Sequence, residues 1–126
     1  MTATRRGLLL MAGLLAVPDG GTRTEDNLAV LGRRLRGLLN GPGSARRIAA
    51  AYLAGVGAPD YRHAAVDLDM AEVLAPANGI AGATALRTWM GTRIRADFET
   101  GAVIDVDGWR LSRTEVGACL LAASVA

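Results

Sequence analysis

Few side chains in this sequence could carry out chemistry, and they are scattered. The chain has one histidine, His63, and one cysteine, Cys119. Structural zinc, covalent haem and iron–sulfur sites each need several His or Cys residues at fixed spacings, and the sequence contains no such motif. We therefore expect His63 to be a partly exposed helix residue. We expect Cys119 to be a small buried apolar residue, with a thiol joined to a partner subunit as the alternative.

The acidic residues also lack the spacing of a catalytic dyad. Asp67 and Asp69 are two residues apart, so they would point to different sides of a helix. Asp105 and Asp107 flank a predicted turn, where carboxylates are usually solvated. We therefore predict no catalytic, metal-binding or cofactor-binding residue in this chain.

The elements that would position these residues are mainly helical. Apolar residues at helical spacing, with capping residues before them and Gly or Pro after them, predict a small bundle of about five helices. The predicted helices begin near residues 24, 44, 60, 84 and 113. The third helix is expected to continue to Pro76, and the stretch from Ala75 to Ala83 to be loop. Phe98 is expected on the apolar stripe of the fourth helix.

One short hairpin is predicted near the C-terminus. Asp107-Gly108 is typical of a two-residue type I′ turn, because both central residues need positive φ. The strands would be Ala102–Val106 and Trp109–Leu111. Ser112 and Glu115 then have the spacing of a capping box, in which each residue hydrogen-bonds the backbone of the other at the start of a helix.

The first 21 residues have a different character from the rest. Arg5 and Arg6 directly precede an apolar run that contains Leu8 and Leu9 and ends at Val17. This run is too short to cross a membrane. Paired arginines before a short apolar stretch are typical of a twin-arginine export signal, which carries proteins that have already folded. The alternative is an ordinary N-terminal helix. We expect residues 1–21 to be the signal and residues 22–126 to be a single domain.

Composition bounds the class of partner. The chain has 126 residues and a net charge of +2. Arg5 and Arg6 account for that charge, so the remainder is neutral, which argues against a nucleic-acid partner. Apolar content is high, but 24 residues are alanine, which buries little area. Such a thin core suggests that another protein covers part of the apolar surface.

Trp109 is the aromatic residue in the body whose position is most informative. It follows the Asp-Gly turn, so it either covers the inner face of the hairpin or contacts a partner, since aromatic residues are enriched in interface cores.

Two stretches near the end carry a resemblance to a known group. Residues 94–101, with the sequence IRADFETG, and residues 106–115, with the sequence VDGWRLSRTE, follow the twin-arginine-like leader. Together they resemble the small subunits of bacterial periplasmic flavin dehydrogenases that act on sorbitol, fructose, glucose or gluconate. The resemblance lies in the leader and the last third of the chain. The sequence departs from the group in being short and in having an alanine-rich middle.

The resemblance implies an accessory subunit that has no active site. A large catalytic subunit would carry FAD and oxidise a sugar or polyol. The small subunit would stabilise it and supply its export signal to the periplasm, and a membrane cytochrome subunit is a further partner that the group suggests. Residues of the two stretches transfer only as structural or interface positions, and we expect Phe98, Trp109 and Leu111 among them to contact the partner.

Two other classes of function remain open on the sequence. One is a standalone periplasmic binding or inhibitor-like protein that uses the same export route. The other is a small enzyme that uses an aspartate, His63 or Cys119, which the lack of any clustered motif disfavours.

Overall fold

The computed structural model of the chain describes residues 27–39 and 42–125. Most of these residues are helical, and a two-stranded antiparallel hairpin lies near the C-terminus. The elements in chain order are α1 (27–38), α2 (Pro42–Val56), α3 (Tyr61–Asp67), α4 (Met70–Val73), a 3₁₀ helix (Ala75–Gly79), α5 (Ala83–Thr100), β1 (Val103–Val106), β2 (Trp109–Ser112) and α6 (Arg113–Ser124).

This architecture confirms the predicted fold class, a small helical bundle with one hairpin. The predicted export signal lies outside the described residues. Among the described residues, no helix combines the length and apolar character that a membrane crossing requires.

Helix α6 lies at the centre of the domain. Its residues from Val116 to Ala122 are all buried, and α2, α3 and α5 pack around it. Two glycines allow this close packing. A Cβ at Gly117 would overlap the thioether of Met70, and a Cβ at Gly32 on α1 would lie 2.6 Å from the carbonyl oxygen of Leu121. The core therefore depends on small residues where helices meet.

The buried start of α6 has a partner for each of its first four amides. Ser112 Oγ accepts from the Glu115 N–H at 2.9 Å, and Glu115 Oε1 accepts from the Ser112 N–H at 2.9 Å, so the predicted capping box is confirmed. The Arg113 N–H donates to the Ala102 carbonyl at 3.0 Å. The Thr114 N–H donates to Asp97 Oδ2 at 2.8 Å. The first four amides of this largely buried helix are thereby all hydrogen-bonded.

Asp97 and Phe98 exchange the roles that periodicity predicts. Asp97 is 4% exposed, whereas Phe98 is 47% exposed, so Phe98 does not lie on the buried stripe of α5. The reason is the bond to Thr114, because a carboxylate at a helix N-terminus satisfies an amide and interacts favourably with the helix dipole. The buried positions of α5 are Leu86, Met90 and Asp97.

The third predicted helix divides into shorter pieces. Asp60 caps α3 as predicted, with its side chain accepting from the His63 N–H, but the helix ends at Asp67. Asp69 then adopts a left-handed conformation with φ of 61°. Arg113 binds this break, donating from Nη2 to the Leu68 carbonyl at 2.8 Å and to Asp69 Oδ2 at 3.1 Å. The predicted continuous helix to Pro76 is therefore wrong.

Two other boundaries differ from the predictions. Helix α5 is preceded by Gly82 rather than by a capping Thr84, and the predicted loop after Leu74 contains the 3₁₀ helix. Arg34 of α1 donates to the carbonyls of Ala77 and Ile80 at the end of that helix. The guanidinium adds a side-chain donor to two carbonyls at this helix end, where the Ala77 carbonyl also accepts from the Ile80 N–H.

The bond between Asp97 and Thr114 is expected to contribute strongly to stability. Replacing Asp97 by Ala leaves a buried amide unpaired, and we expect the free energy of unfolding to fall by about 2–3 kcal/mol. The free energy of unfolding should fall less for Asp97→Asn, because the side-chain oxygen of Asn can still accept a hydrogen bond from the Thr114 N–H. Chemical denaturation measures both, with the exposed Asp67→Ala as the matched control. Equal stability of Asp97→Ala and Asp67→Ala would contradict this role.

The close packing at Gly117 is a second stability test. Gly117→Ala forces a methyl group into Met70, so unfolding free energy should fall by about 1–3 kcal/mol. Gly91→Ala, on α5, adds the same methyl group where only an Arg95 nitrogen lies within 4 Å, at 3.7 Å. Since glycine is unfavourable inside a helix, this control should be neutral or gain up to about 1 kcal/mol. Thermal melting measures both variants. If the melting temperatures of Gly117→Ala and Gly91→Ala changed by the same amount, the packing argument would be wrong.

Candidate functional site

The hairpin presents an apolar face on which the most exposed large apolar side chain of the described residues lies. The register pairs Ile104 with Leu111 and Val106 with Trp109, so these four side chains share one face. Val106 is buried, but Trp109 directly opposite is 70% exposed. Both central residues of the connecting turn have positive φ, as predicted for a type I′ turn. Trp109 is therefore not a core residue.

An apolar groove begins beneath this face. Its inner part has a volume of about 350 Å³ and lies between the end of α1, the start of α2, helix α5 and the central helix α6. Most of its walls are apolar. The apolar side chains that line it are Leu35, Leu38, Leu39, Ala45, Ile48, Met90, Ile94, Leu111, Ala118 and Cys119.

The outer part of the groove reaches Trp109. It also has a volume of about 350 Å³, and its lining includes Ala51, Val106 and Trp109. Ser44, Ile48 and Leu111 line both parts, so the two parts adjoin. The result is one groove that runs from α5, past α2, to the exposed indole. We call this surface the hairpin groove.

One stripe of α5 forms a wall of the hairpin groove. Arg87, Gly91 and Ile94 line it and are spaced by four and three residues, so they share a helix face. Gly91 leaves a gap in this stripe because it has no side chain. Phe98 follows Ile94 by four residues, so this exposed aromatic continues the same stripe beyond the groove.

Charges of both signs line the groove. The inner part is lined by Arg87 and Glu115, and the outer part by Arg47 and Asp107. Arg47 on α2 and Arg87 on α5 are exposed and line the outer and inner parts of the groove. Neither takes part in the ion pairs of the described residues, which join His63 to Asp60, Arg110 to Asp105 and Arg113 to Asp69.

Cys119 lies at the floor of the groove in a protonated state. The thiol is buried, as predicted, and burial together with the nearby Glu115 carboxylate raises its pKa to about 11. Thiolate is the reactive form of cysteine, so this side chain is a poor nucleophile at neutral pH. Glu115 is occupied by its bond to the Ser112 amide. The groove therefore offers apolar contact area rather than acid–base chemistry.

The remaining candidates for chemistry lie elsewhere. His63 is exposed, and its Nδ1 lies 2.8 Å from Asp60 Oδ1. Hydrogen bonds from the His63 backbone and ring lower the pKa of the Asp60 carboxyl. Over residues 27–39 and 42–125, no group of three or more His, Cys, Asp or Glu side chains has an arrangement that could hold a metal ion.

The predicted interface residues are only partly brought together. Trp109 and Leu111 line the outer groove side by side, whereas Phe98 lies on the neighbouring helix and does not line it. The predicted signal residues Arg5, Arg6, Leu8 and Leu9 lie outside the described residues.

Sequence reasoning missed most of the groove wall. The helical spacing of leucines predicts only that Leu38 and Leu39 lie on one helix face, and it predicts nothing for Gly91. Their only sequence signals are the four-three spacing of Arg87, Gly91 and Ile94, and the Asn-Gly-Pro-Gly sequence of residues 40–43, which predicts a helix end. Neither signal shows that these residues face a common groove.

The chain matches no protein-family model, no curated protein and no solved structure. Its function is therefore inferred from its own residues and from the resemblance described above.

The raised pKa of Cys119 predicts how the thiol reacts. In the folded protein, alkylation by iodoacetamide should be slow at pH 8 and rise about tenfold per pH unit toward pH 11, because only the thiolate reacts. In denaturant the rate should level off above about pH 8.5, the ordinary thiol pKa. Mass spectrometry of labelled protein measures both rates. A plateau near pH 9 in the folded protein would contradict the shifted pKa.

Proposed function

We propose that this chain is a non-catalytic small subunit that binds a large flavin-dependent sugar or polyol dehydrogenase subunit, stabilises it and is exported with it through the twin-arginine route. FAD would belong to the large subunit, and the complex would work in the periplasm. A membrane cytochrome subunit is a further proposed partner.

The observation that carries this proposal is the exposure of Trp109. An indole that is 70% exposed on the apolar face of a hairpin, beside an apolar groove, is typical of a surface that another protein covers. Trp109 also lies in the stretch that resembles the dehydrogenase small subunits. Phe98, from the other resembling stretch, is exposed as well.

Stabilisation of the partner follows from mass action. A subunit that binds only the folded form of another protein lowers the free energy of that form, so the large subunit would persist longer when the complex forms. Because the twin-arginine route accepts folded cargo, binding before export would let one signal serve both chains.

A second candidate, a standalone periplasmic helical binding protein, is favoured by one observation. Helix α6 is buried along most of its length, and all four of its first amides are hydrogen-bonded within the chain. The core thus needs no second protein to cover its central helix. Under this hypothesis the hairpin groove would bind its ligand directly.

Affinity purification of the tagged chain from its native host separates the two candidates. A stoichiometric large subunit with a yellow flavin absorption spectrum would support the accessory subunit. A chain that elutes alone, folded and monodisperse would contradict it and favour the standalone protein.

The paired arginines test the export route. The double variant Arg5→Lys, Arg6→Lys keeps the charge but removes the guanidinium pair, so we expect most of the chain and of its flavoprotein partner to be lost from the periplasmic fraction. Arg33→Lys, Arg36→Lys, which changes two exposed arginines of α1, is the matched control. Immunoblots of periplasmic and cytoplasmic fractions measure the distribution. Unchanged export of the Arg5, Arg6 variant would remove the twin-arginine assignment.

A further inference from the structure

We propose that the bond between Asn78 and Gly79 is a site of spontaneous deamidation whose rate is set by Arg34 of α1. The modification concerns the 3₁₀ helix and not the hairpin groove, so it does not depend on the function proposed above.

The sequence at this site favours the reaction. Asparagine is a chemically labile residue, and its side chain reacts fastest when glycine follows, because the missing side chain lets the next backbone nitrogen approach. Asn78 and Gly79 are both exposed, so water reaches the pair. A Cβ at Gly79 would meet no atom within 4 Å, so the space around this glycine is open.

The reaction needs no enzyme and no oxidant. The Gly79 backbone nitrogen attacks Cγ of Asn78, the bond from Cγ to the side-chain nitrogen breaks, and ammonia leaves with the proton that the backbone nitrogen loses. Water then opens the resulting succinimide ring at either of its carbonyls. The products are aspartate and isoaspartate. In isoaspartate the backbone runs through the former side chain and is one methylene longer.

The folded conformation of this turn keeps the reacting atoms apart. Asn78 and Gly79 are the central residues of a turn that the Ile80 N–H closes by donating to the Ala77 carbonyl at 3.1 Å. Attack requires rotation about the Cα–C bond of Asn78 until the Gly79 nitrogen faces Cγ, and that rotation breaks the closing bond. The reaction therefore proceeds from a locally opened state of the 3₁₀ helix.

Arg34 holds this turn closed from α1. Its Nη1 donates to the Ala77 carbonyl at 3.1 Å, and its Nη2 donates to the Ile80 carbonyl. These two carbonyls lie on either side of the Asn78–Gly79 pair, so one guanidinium bridges the segment in which the rotation must occur. The bridge joins residues 43 positions apart, so it lasts only while α1 is packed against the 3₁₀ helix.

Isoaspartate at this position would in turn weaken the attachment of α1. The added methylene changes the spacing of the Ala77 and Ile80 carbonyls, and a rigid planar guanidinium cannot adapt to both. Asn78 also lines a cavity of about 130 Å³ together with Asn27 of α1 and Ala71 of α4, so the altered backbone lies where these elements meet. A chain that has reacted therefore holds α1 less firmly than a newly made one.

Removal of the bridge tests the role of Arg34. Arg34→Ala should raise the deamidation rate of Asn78 in the folded full-length chain about tenfold, because hydrogen bonds from a charged donor no longer oppose opening. Arg33→Ala changes an exposed arginine of the same helix and is the matched control. Asp97→Ala lowers global stability elsewhere and should leave the rate unchanged.

Peptide mapping by mass spectrometry, on chains kept in mildly alkaline buffer, measures these rates. Equal rates in Arg34→Ala and Arg33→Ala, or an equal rise in Arg34→Ala and Asp97→Ala, would overturn the control by Arg34.

The wild-type chain alone gives a second test, which decides the matter even if Arg34→Ala does not fold. Opening also exposes the Ile80 amide to hydrogen exchange, so the protection factor of that amide should match the factor by which folding slows deamidation, within about threefold. The unfolded rate comes from the same chain in denaturant. There, Asn78 should react like Asn40, which also precedes a glycine and lies outside the described residues. Deamidation slowed much less than exchange, or no product at Asn78 in the folded chain, would overturn the inference.

Gly79→Ala tests the consequence for α1. The added methyl group hinders the attacking nitrogen but meets no atom within 4 Å, so the reaction should be suppressed while the fold is unchanged. After prolonged incubation the melting temperature of the wild-type chain should fall in proportion to its isoaspartyl fraction, which chromatography separates from the aspartyl product. The melting temperature of Gly79→Ala should stay constant. An equal fall in the wild-type chain and in Gly79→Ala would overturn the weakened attachment of α1.

Discussion

The structure depends on the hydrogen bonds that close the start of α6. The start of α6 is largely buried, and each of its first four amides has a hydrogen-bond partner within the chain. Two come from the capping box, one from the Ala102 carbonyl before the hairpin, and one from Asp97 on α5. Two of these bonds also tie the hairpin to the core, because they hold Arg113 and Thr114, directly after β2, to Ala102 and Asp97. The exposed side of the hairpin, with Trp109, is therefore held by interactions in the core.

Local features of the fold were predictable from the sequence, and features that depend on long-range contacts were not. The Asp107-Gly108 turn, the Asp60 cap and the capping box each involve residues within a few positions, and all three are confirmed. The exchange between Asp97 and Phe98 was not predictable, because the amide that Asp97 binds lies 17 residues away. Periodicity assigns an aromatic to the core and a carboxylate to solvent unless a distant polar group reverses the preference.

In the candidate site too, local features were predictable from the sequence and features that depend on long-range contacts were not. Alternation along β2 places Trp109 and Leu111 on one face, so their proximity follows from the sequence. The opposite walls come from α1, α2 and α5, and only the packing of these helices on α6 brings Leu38, Ile48 and Gly91 to one groove. Arg113 adds a similar example, since it binds the break at Leu68 and Asp69 from 45 and 44 residues away. A break bound by a distant arginine cannot be distinguished from a continuous helix by local pattern alone.

The position of α6 in the chain has a consequence for biosynthesis. The helix that every other layer packs against is also the element that follows all of them in chain order. While the ribosome is still translating residues 27–112, the apolar faces of α1, α2, α3 and α5 have emerged or are emerging without the surface that they finally cover. Domains generally fold as units, and this one lacks its central helix until α6 is made. Its core therefore cannot be completed until α6 has been translated.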